Sequence, residues 1–260
     1  MQMPYPAKVE SIHFASGTAQ IVGVLYAAQD HDPNAPDHHP AAILLHGMPG
    51  SEKNFDLAYR LRDVGWHVLI VHFRGSWGSG GDYDMTAQPD DALAAVNYLL
   101  AAVPTIDPAR IALVGYSLGS RAAIVAAQRD KRIGAVVSIA GSADYDDLMP
   151  STEVFTHLLP FLHNATVRSL SAQWLRLGGS ENPVAIVGQL DRPLLIVHGT
   201  EDEIVPYFMA PALSQAAGQH ATLITLEGAD HTFTQHRSQL VEAVTGWLIS
   251  WADSAGTNNC

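Results

Sequence analysis

The chain has 260 residues, of which 47% are hydrophobic and 15% charged, and its formal net charge is −12. That size fits one large α/β domain, or one domain with an insertion, and the apolar share is enough for a sizeable core. A surface this negative repels phosphate backbones and anionic lipid heads, so nucleic acid and membrane surfaces are not expected partners, although solubility alone accounts for the charge.

From the N-terminus, residues 1–10 lack the basic start and apolar run of a signal peptide. Residues 8–15 and 19–28 are strand-like and joined by Ser16-Gly17-Thr18, which predicts an antiparallel hairpin. Residues 29–40 are polar and proline-rich and predict a loop. From Ala41 the pattern changes. Short apolar runs at 41–45, 67–72, 110–115, 134–140, 193–198 and 221–226 predict strands. Helical spacing appears at 54–64, with Gly65 as a stop, at 90–103, closed by Pro104, at 119–128, and at 235–251. Continuous apolar strands that alternate with helices imply a parallel sheet covered on both faces.

The alternation breaks at about 142–190, where helical patches at 153–163 and 166–177 replace it. This stretch predicts an insertion, or cap, within a single domain of residues 1–260, lying over the carboxyl ends of the strands. No apolar run reaches the roughly 20 residues a membrane helix needs. The one cysteine, Cys260, can form no intramolecular disulfide, and it is last rather than fourth from the end, where a prenylation box would put it. A soluble cytoplasmic protein is expected, and homo-oligomerisation is left open.

The segment Gly115-Tyr116-Ser117-Leu118-Gly119 fits G-x-S-x-G between a strand and a helix. A serine on so sharp a turn needs small neighbours, and the N–H of Leu118 falls at a helix N-terminus, where the dipole favours a negative oxygen. This segment resembles the nucleophile elbow of the α/β-hydrolase superfamily. His46-Gly47-Met48-Pro49-Gly50 is similar to its oxyanion loop, and Phe73–Gly81 to its R-G-x-G-x-S-G stretch. The resemblance covers nearly the whole chain and is nearest to small serine esterases, feruloyl- or cinnamoyl-esterase-like, and to peptidase-like hydrolases.

The resemblance implies an α/β-hydrolase fold with a mostly parallel sheet and a small cap. It also implies Ser117 as nucleophile, with oxyanion donors at the N–H groups of Leu118 and Met48. The base must lie within reach of Ser117. Of 13 histidines, His231 follows the last strand and precedes the closing helix, where this fold presents its base, and His236 is second choice. His46 and His198 each end a strand beside glycine and are expected to support the site. His31, His38 and His39 lie in the polar loop at a spacing that matches no standard metal site.

The orienting carboxylate is placed at Asp202, in a stretch resembling G-x-x-D-x-x-V-P, with Asp144 as rival. Glu201 and Glu203 are expected to face solvent. No cofactor or metal is expected. The expected activity is hydrolysis of a small-molecule carboxylic ester through a Ser-His-Asp triad and an acyl-enzyme. A peptidase or amidase of the same fold is the alternative, and a non-catalytic binding protein the remote one. Trp174 and Phe161, in the cap, are the lead residues for the substrate pocket.

Overall fold

The computed structural model describes residues 8–28 and 38–257. The first seven residues, most of the expected 29–40 loop with His31, and Cys260 lie outside the described residues. The expected hairpin is formed by β1 (Val9–Ser16) and β2 (Ala19–Tyr26). It is followed by β3 (His39–Leu45), α1 (Phe55–Asp63), β4 (His67–His72), α2 (Gln88–Ala102), β5 (Ile106–Tyr116), α3 (Leu118–Arg129) and β6 (Ile133–Ile139). The insertion carries α4 (Thr152–Leu158), α5 (Val167–Trp174) and the single turn α6 (Pro183–Ile186). The chain then completes β7 (Leu194–Gly199), α7 (Met209–Ala217), β8 (Ala221–Leu226) and α8 (Arg237–Thr257). Helix α7 has no counterpart among the elements expected from sequence.

The eight strands form one sheet in the order β1-β2-β4-β3-β5-β6-β7-β8. The pairs β1–β2 and β2–β4 are antiparallel and all others parallel, which makes this the expected α/β-hydrolase fold. Period-two alternation splits each strand between two cores. Ile43, Leu45, Ile111 and Leu113 face α2, α3 and α7. Ala42, Leu44, Ala112 and Val114 face α1 and α8.

A third apolar cluster joins the insertion to the body. Phe155, Leu162, Leu170 and Trp174 pack there with Tyr83, Met85 and Leu118. Gln173 clamps the same contact, its Nε2 donating to Tyr83 O at 3.0 Å and its Oε1 accepting from Met85 N–H at 3.0 Å. The two ends of the insertion meet at a neck. Val184 N–H donates to Ala143 O (2.8 Å), Tyr145 N–H to Asn182 Oδ1 (3.1 Å), and Asn182 Nδ2 to Asp144 Oδ1 (2.5 Å). Buried Arg121, on α3, donates to Leu177 O at 3.0 Å and ties the insertion to the helix that follows Ser117.

Candidate active site

Strand β5 ends at Tyr116, and the chain turns into α3 through Ser117, whose φ of 53° and ψ of −120° are costly for any residue with a side chain. The turn is held by Ser117 N–H donating to Ile139 O at 2.8 Å and by Ser120 Oγ donating to Gly115 O at 2.8 Å. It is also held by the absence of side chains around it. A Cβ on Gly115 would collide with Gly119 O, and one on Gly119 with Leu45 O. The glycines of the motif therefore let strand, helix and neighbouring strand approach closely enough to force the Ser117 hydroxyl outward.

His231 sits between Ser117 and Asp202. Its Nε2 is 3.2 Å from Ser117 Oγ, and its Nδ1 is 2.7 Å from Asp202 Oδ2. Tyr116 OH donates to His231 O at 3.1 Å and fixes the backbone of that loop. Asp202 is fully engaged. Its Oδ1 accepts from Ile204 N–H (2.9 Å) and Val205 N–H (2.7 Å), and its Oδ2 also lies 3.2 Å from His198 Nε2. Burial pushes the Asp202 carboxyl up, but the histidine and backbone donors outweigh it and hold it well below the usual carboxylate range.

The rivals fall elsewhere. Asp144 accepts from Asp146 N–H and from Asn182 in the neck of the insertion. His236 leads into α8, its N–H donating to Phe233 O and its carbonyl accepting from Leu240 N–H.

The 46–50 loop, expected from sequence to supply an oxyanion donor, lies against the elbow, since a Cβ on Gly47 would come within 2.8 Å of Ser117 Cβ. Leu118 is the first residue of α3, so its N–H has no partner within the helix. Buried His46 braces the loop. Its Nε2 accepts from Phe73 N–H at 3.2 Å, which puts the ring proton on Nδ1, where it donates to Gly47 O at 2.6 Å. Lys53 Nζ donates to Gly50 O (2.6 Å) and lies 3.6 Å from the centre of the Trp77 ring, and Trp77 Nε1 donates to Pro49 O (2.7 Å). The glycine-rich 73–81 stretch thus supports this loop from below. Its Arg74 is anchored to buried Asp91 at 2.7 Å.

Burial pushes the His46 imidazole down to about 3, with the Gly47 hydrogen bond opposing and Lys53 and His72 adding to the effect. The folded value lies below the unfolded value of about 6.5, so the stability contribution is complete above about pH 6.5 and is lost as pH falls toward 3. Stability from this group should therefore fall by about 1.4 kcal/mol per pH unit below about pH 6.5. Urea titrations of wild type and His46→Asn between pH 7 and 4.5 check it, because the variant should show a shallower slope by that amount. Equal slopes would rule out the buried neutral imidazole as the cause.

Above the elbow opens a cavity of about 480 Å³. Ser117, His231, Gly47, Met48 and Leu118 form one part of its lining. Tyr145, Leu148, Met149, Val154, Leu158 and Trp174 of the insertion form another, and Ile204 and Val205 a third. Glu52 and Glu203 are its carboxylates.

Trp174 therefore faces the cavity while 7% exposed and packed on Tyr145 and Phe155. Phe161 does not line it. That ring is 50% exposed and stacks on Trp77, outside the cavity. The proline at 160 takes the chain out of α4 into a 3₁₀ turn, which rotates Phe161 away from the face that Leu158 shares with the cavity. Glu203 is exposed but also borders the cavity, so only Glu201 is a purely solvent-facing neighbour of Asp202. Nothing in the sequence marks Tyr145, Met149 and Ile204 as lining residues, because they sit in loops with no periodicity to assign a face.

The prolyl oligopeptidase family model matches residues 54–255. An uncharacterized protein of Mycobacterium tuberculosis is 28% identical over 198 residues, which are 74% of this chain and 63% of that one. The 2,6-dihydropseudooxynicotine hydrolase of Paenarthrobacter nicotinovorans is 25% identical over 201 residues, covering 76% of this chain and 54% of that enzyme. The chain thus spans between half and two thirds of the length of these relatives. Est1E from Butyrivibrio proteoclasticus, solved with ferulic acid bound, has the same fold with a TM-score of 0.73 at 21% identity, over 93% of this chain and 99% of Est1E. The chain belongs to the prolyl oligopeptidase family and has the α/β-hydrolase fold.

Proposed function

We propose that this chain is a carboxylic ester hydrolase in which Ser117 is the nucleophile, His231 the base and Asp202 the residue that orients the base. The observation that carries the reading is the continuous line Asp202–His231–Ser117, at 2.7 and 3.2 Å, opening into a mainly apolar cavity of about 480 Å³. Ser117 Oγ attacks the ester carbonyl carbon as its proton passes to His231 Nε2. Asp202 keeps the other ring proton on Nδ1 and stabilises the imidazolium. The new oxyanion meets the N–H groups of Leu118 and Met48, a contribution worth about 3–4 kcal/mol per donor in comparable sites. Collapse transfers the His231 proton to the leaving alcohol, and a water molecule repeats the cycle on the acyl-serine.

Ester cleavage is favoured by the apolar walls, which offer an acyl group burial but few polar anchors. The fold likeness to a protein solved with ferulic acid adds support for an aromatic or similarly sized acyl group. A second reading, amide or peptide cleavage, is favoured by the family match and by Glu52 and Glu203 on the cavity lining, where an amine could pair with them. A fluorophosphonate probe should label wild type at Ser117. A panel of p-nitrophenyl esters, aryl esters and aminoacyl anilides separates the two activities, and faster anilide turnover would replace the ester reading by the peptidase one.

In this reading the insertion sets specificity, and Trp174 is the wall to trim. Trp174→Ala should change relative kcat/KM among esters by about 1–3 kcal/mol, the scale on which apolar pockets discriminate. Phe161→Ala, outside the cavity, should leave the ranking unchanged. Melting curves on both variants separate pocket from core, because an unaltered ranking with a large stability loss in Trp174→Ala would make Trp174 a core residue only.

A further inference from the structure

His198 closes strand β7 and is fully buried, yet it contributes nothing to the cavity wall. Its Nε2 stands 2.9 Å from Val205 O and 3.2 Å from Asp202 Oδ2, while its Nδ1 is buried without a partner. An unpartnered buried N–H is costlier than a bare ring nitrogen among apolar groups, and the two oxygens beside Nε2 can only accept. The ring proton therefore belongs on Nε2, donating to Val205 O with Asp202 Oδ2 beside it at 3.2 Å.

That one N–H has two effects. Through Val205 O it ties down the 202–205 turn, whose other bonds are Ile204 N–H and Val205 N–H to Asp202 Oδ1 at 2.9 and 2.7 Å. Through Asp202 Oδ2 it draws charge from the same oxygen that accepts from His231 Nδ1. Oδ2 is thus served by two imidazoles, one of them facing Ser117 and one facing none of the cavity.

We propose that His198 is a positioning residue that holds the Asp202 carboxylate in place and limits how strongly it binds the protonated base. This rests on the roles assigned above to Ser117, His231 and Asp202. The donor on the far side of Asp202 weakens its pull on the imidazolium of His231. Losing that donor makes Asp202 a stronger partner for the protonated base, so the base is held protonated up to a higher pH.

Among the described residues, the groups that face this arrangement are few. Tyr207 lies 6.2 Å from the His198 ring, centre to centre, with its hydroxyl on Thr225. The Tyr116 ring lies 5.3 Å from His231, and Glu52 and Glu203 border the cavity that His231 shares. None of these replaces the His198 N–H at Asp202 Oδ2, since the other bonds to this carboxylate come from His231, Ile204 N–H and Val205 N–H.

The test has two parts. On wild type, ¹⁵N shifts of the His198 ring at pH 8 should show the proton on Nε2 and a bare Nδ1. A proton on Nδ1 overturns the proposal whatever the variants do. On variants, the pH dependence of kcat/KM is the readout. His198→Phe fills the space without a donor and should move the acid limb up by about 0.5–1 pH unit, with KM within about twofold of wild type. His198→Gln can place an amide N–H near the former Nε2 and should restore the wild-type limb. An unmoved limb in His198→Phe, or a limb that moves as far in His198→Gln, overturns the proposal. Ser117→Ala is assayed beside them. Wild-type activity in that variant would remove the triad reading itself, whereas its inactivity with an unmoved limb in His198→Phe removes only the role of His198. If His198→Phe does not fold, the ¹⁵N measurement and the pH profile of His198→Gln still decide.

Discussion

Ser117→Ala is expected to lower kcat by roughly 10⁴–10⁶, because the members of such a hydrogen-bonded unit are grossly non-additive and removing the nucleophile costs nearly as much as removing all. The substitution deletes one hydroxyl. The variant keeps the Cβ that already fits beside Gly47, and the backbone N–H of residue 117 keeps its bond to Ile139 O. The lining that the insertion gives the cavity is untouched, so KM should change little. Residual catalysis over water would come from the oxyanion donors and from binding. Purified variant with an unchanged melting temperature is assayed against the best ester of the panel. More than a few per cent of wild-type activity would displace Ser117 from its role.

Asp202→Asn is expected to cost about 10⁴ in kcat with the fold intact. The side chain is gripped at Oδ1 by the N–H groups of Ile204 and Val205, which demand an acceptor there. An asparagine must then turn its NH₂ toward His231 Nδ1. Facing a donor, Nδ1 becomes the bare nitrogen and the ring proton moves to Nε2, where it points at Ser117 and cannot receive the serine proton. The same NH₂ also confronts His198 Nε2–H, so the far side of the carboxylate loses its match. Asp144→Asn should cost no more than a few-fold, since Asp144 serves the neck of the insertion and not His231. The two variants assayed side by side, with melting curves, check the assignment, and the opposite order of damage would sink it.

The body of the fold was legible because buried parallel strands write themselves as unbroken apolar runs. Ala41–Leu45 and His67–His72 are recognisable without knowledge of their partners. Ser117, Asp202 and His231 could be singled out as candidates because each follows such a run, and the structure brings the three side chains together. What failed was anything that depended on direction. Helix α7, MAPALSQAA, carries a proline and small residues, and its packing against β7 and β8 supplies what its local pattern lacks. Phe161 shares a helical spacing with Leu158, and only the turn at Pro160 decides that the two side chains point apart. The part played by His198 was hidden for a different reason. A histidine before glycine at a strand end reads as support, but its bonds run to a carbonyl seven residues on and to a carboxylate four residues on, and no pattern fixes those.

The neck at Ala143–Val184 and Asp144–Asn182 has a consequence for how such a protein can diversify. The segment between enters and leaves at one place, so strands β6 and β7 keep their register whatever its length. Doubling a loop whose ends are already joined adds only about 0.6 kcal/mol of closure entropy. Sequence drift can therefore lengthen, shorten or repaint the roof of the cavity while the elbow, where not even a methyl group fits on Gly115 or Gly119, stays frozen. Inheritance here is divided between a chemistry that cannot vary and an appetite that can.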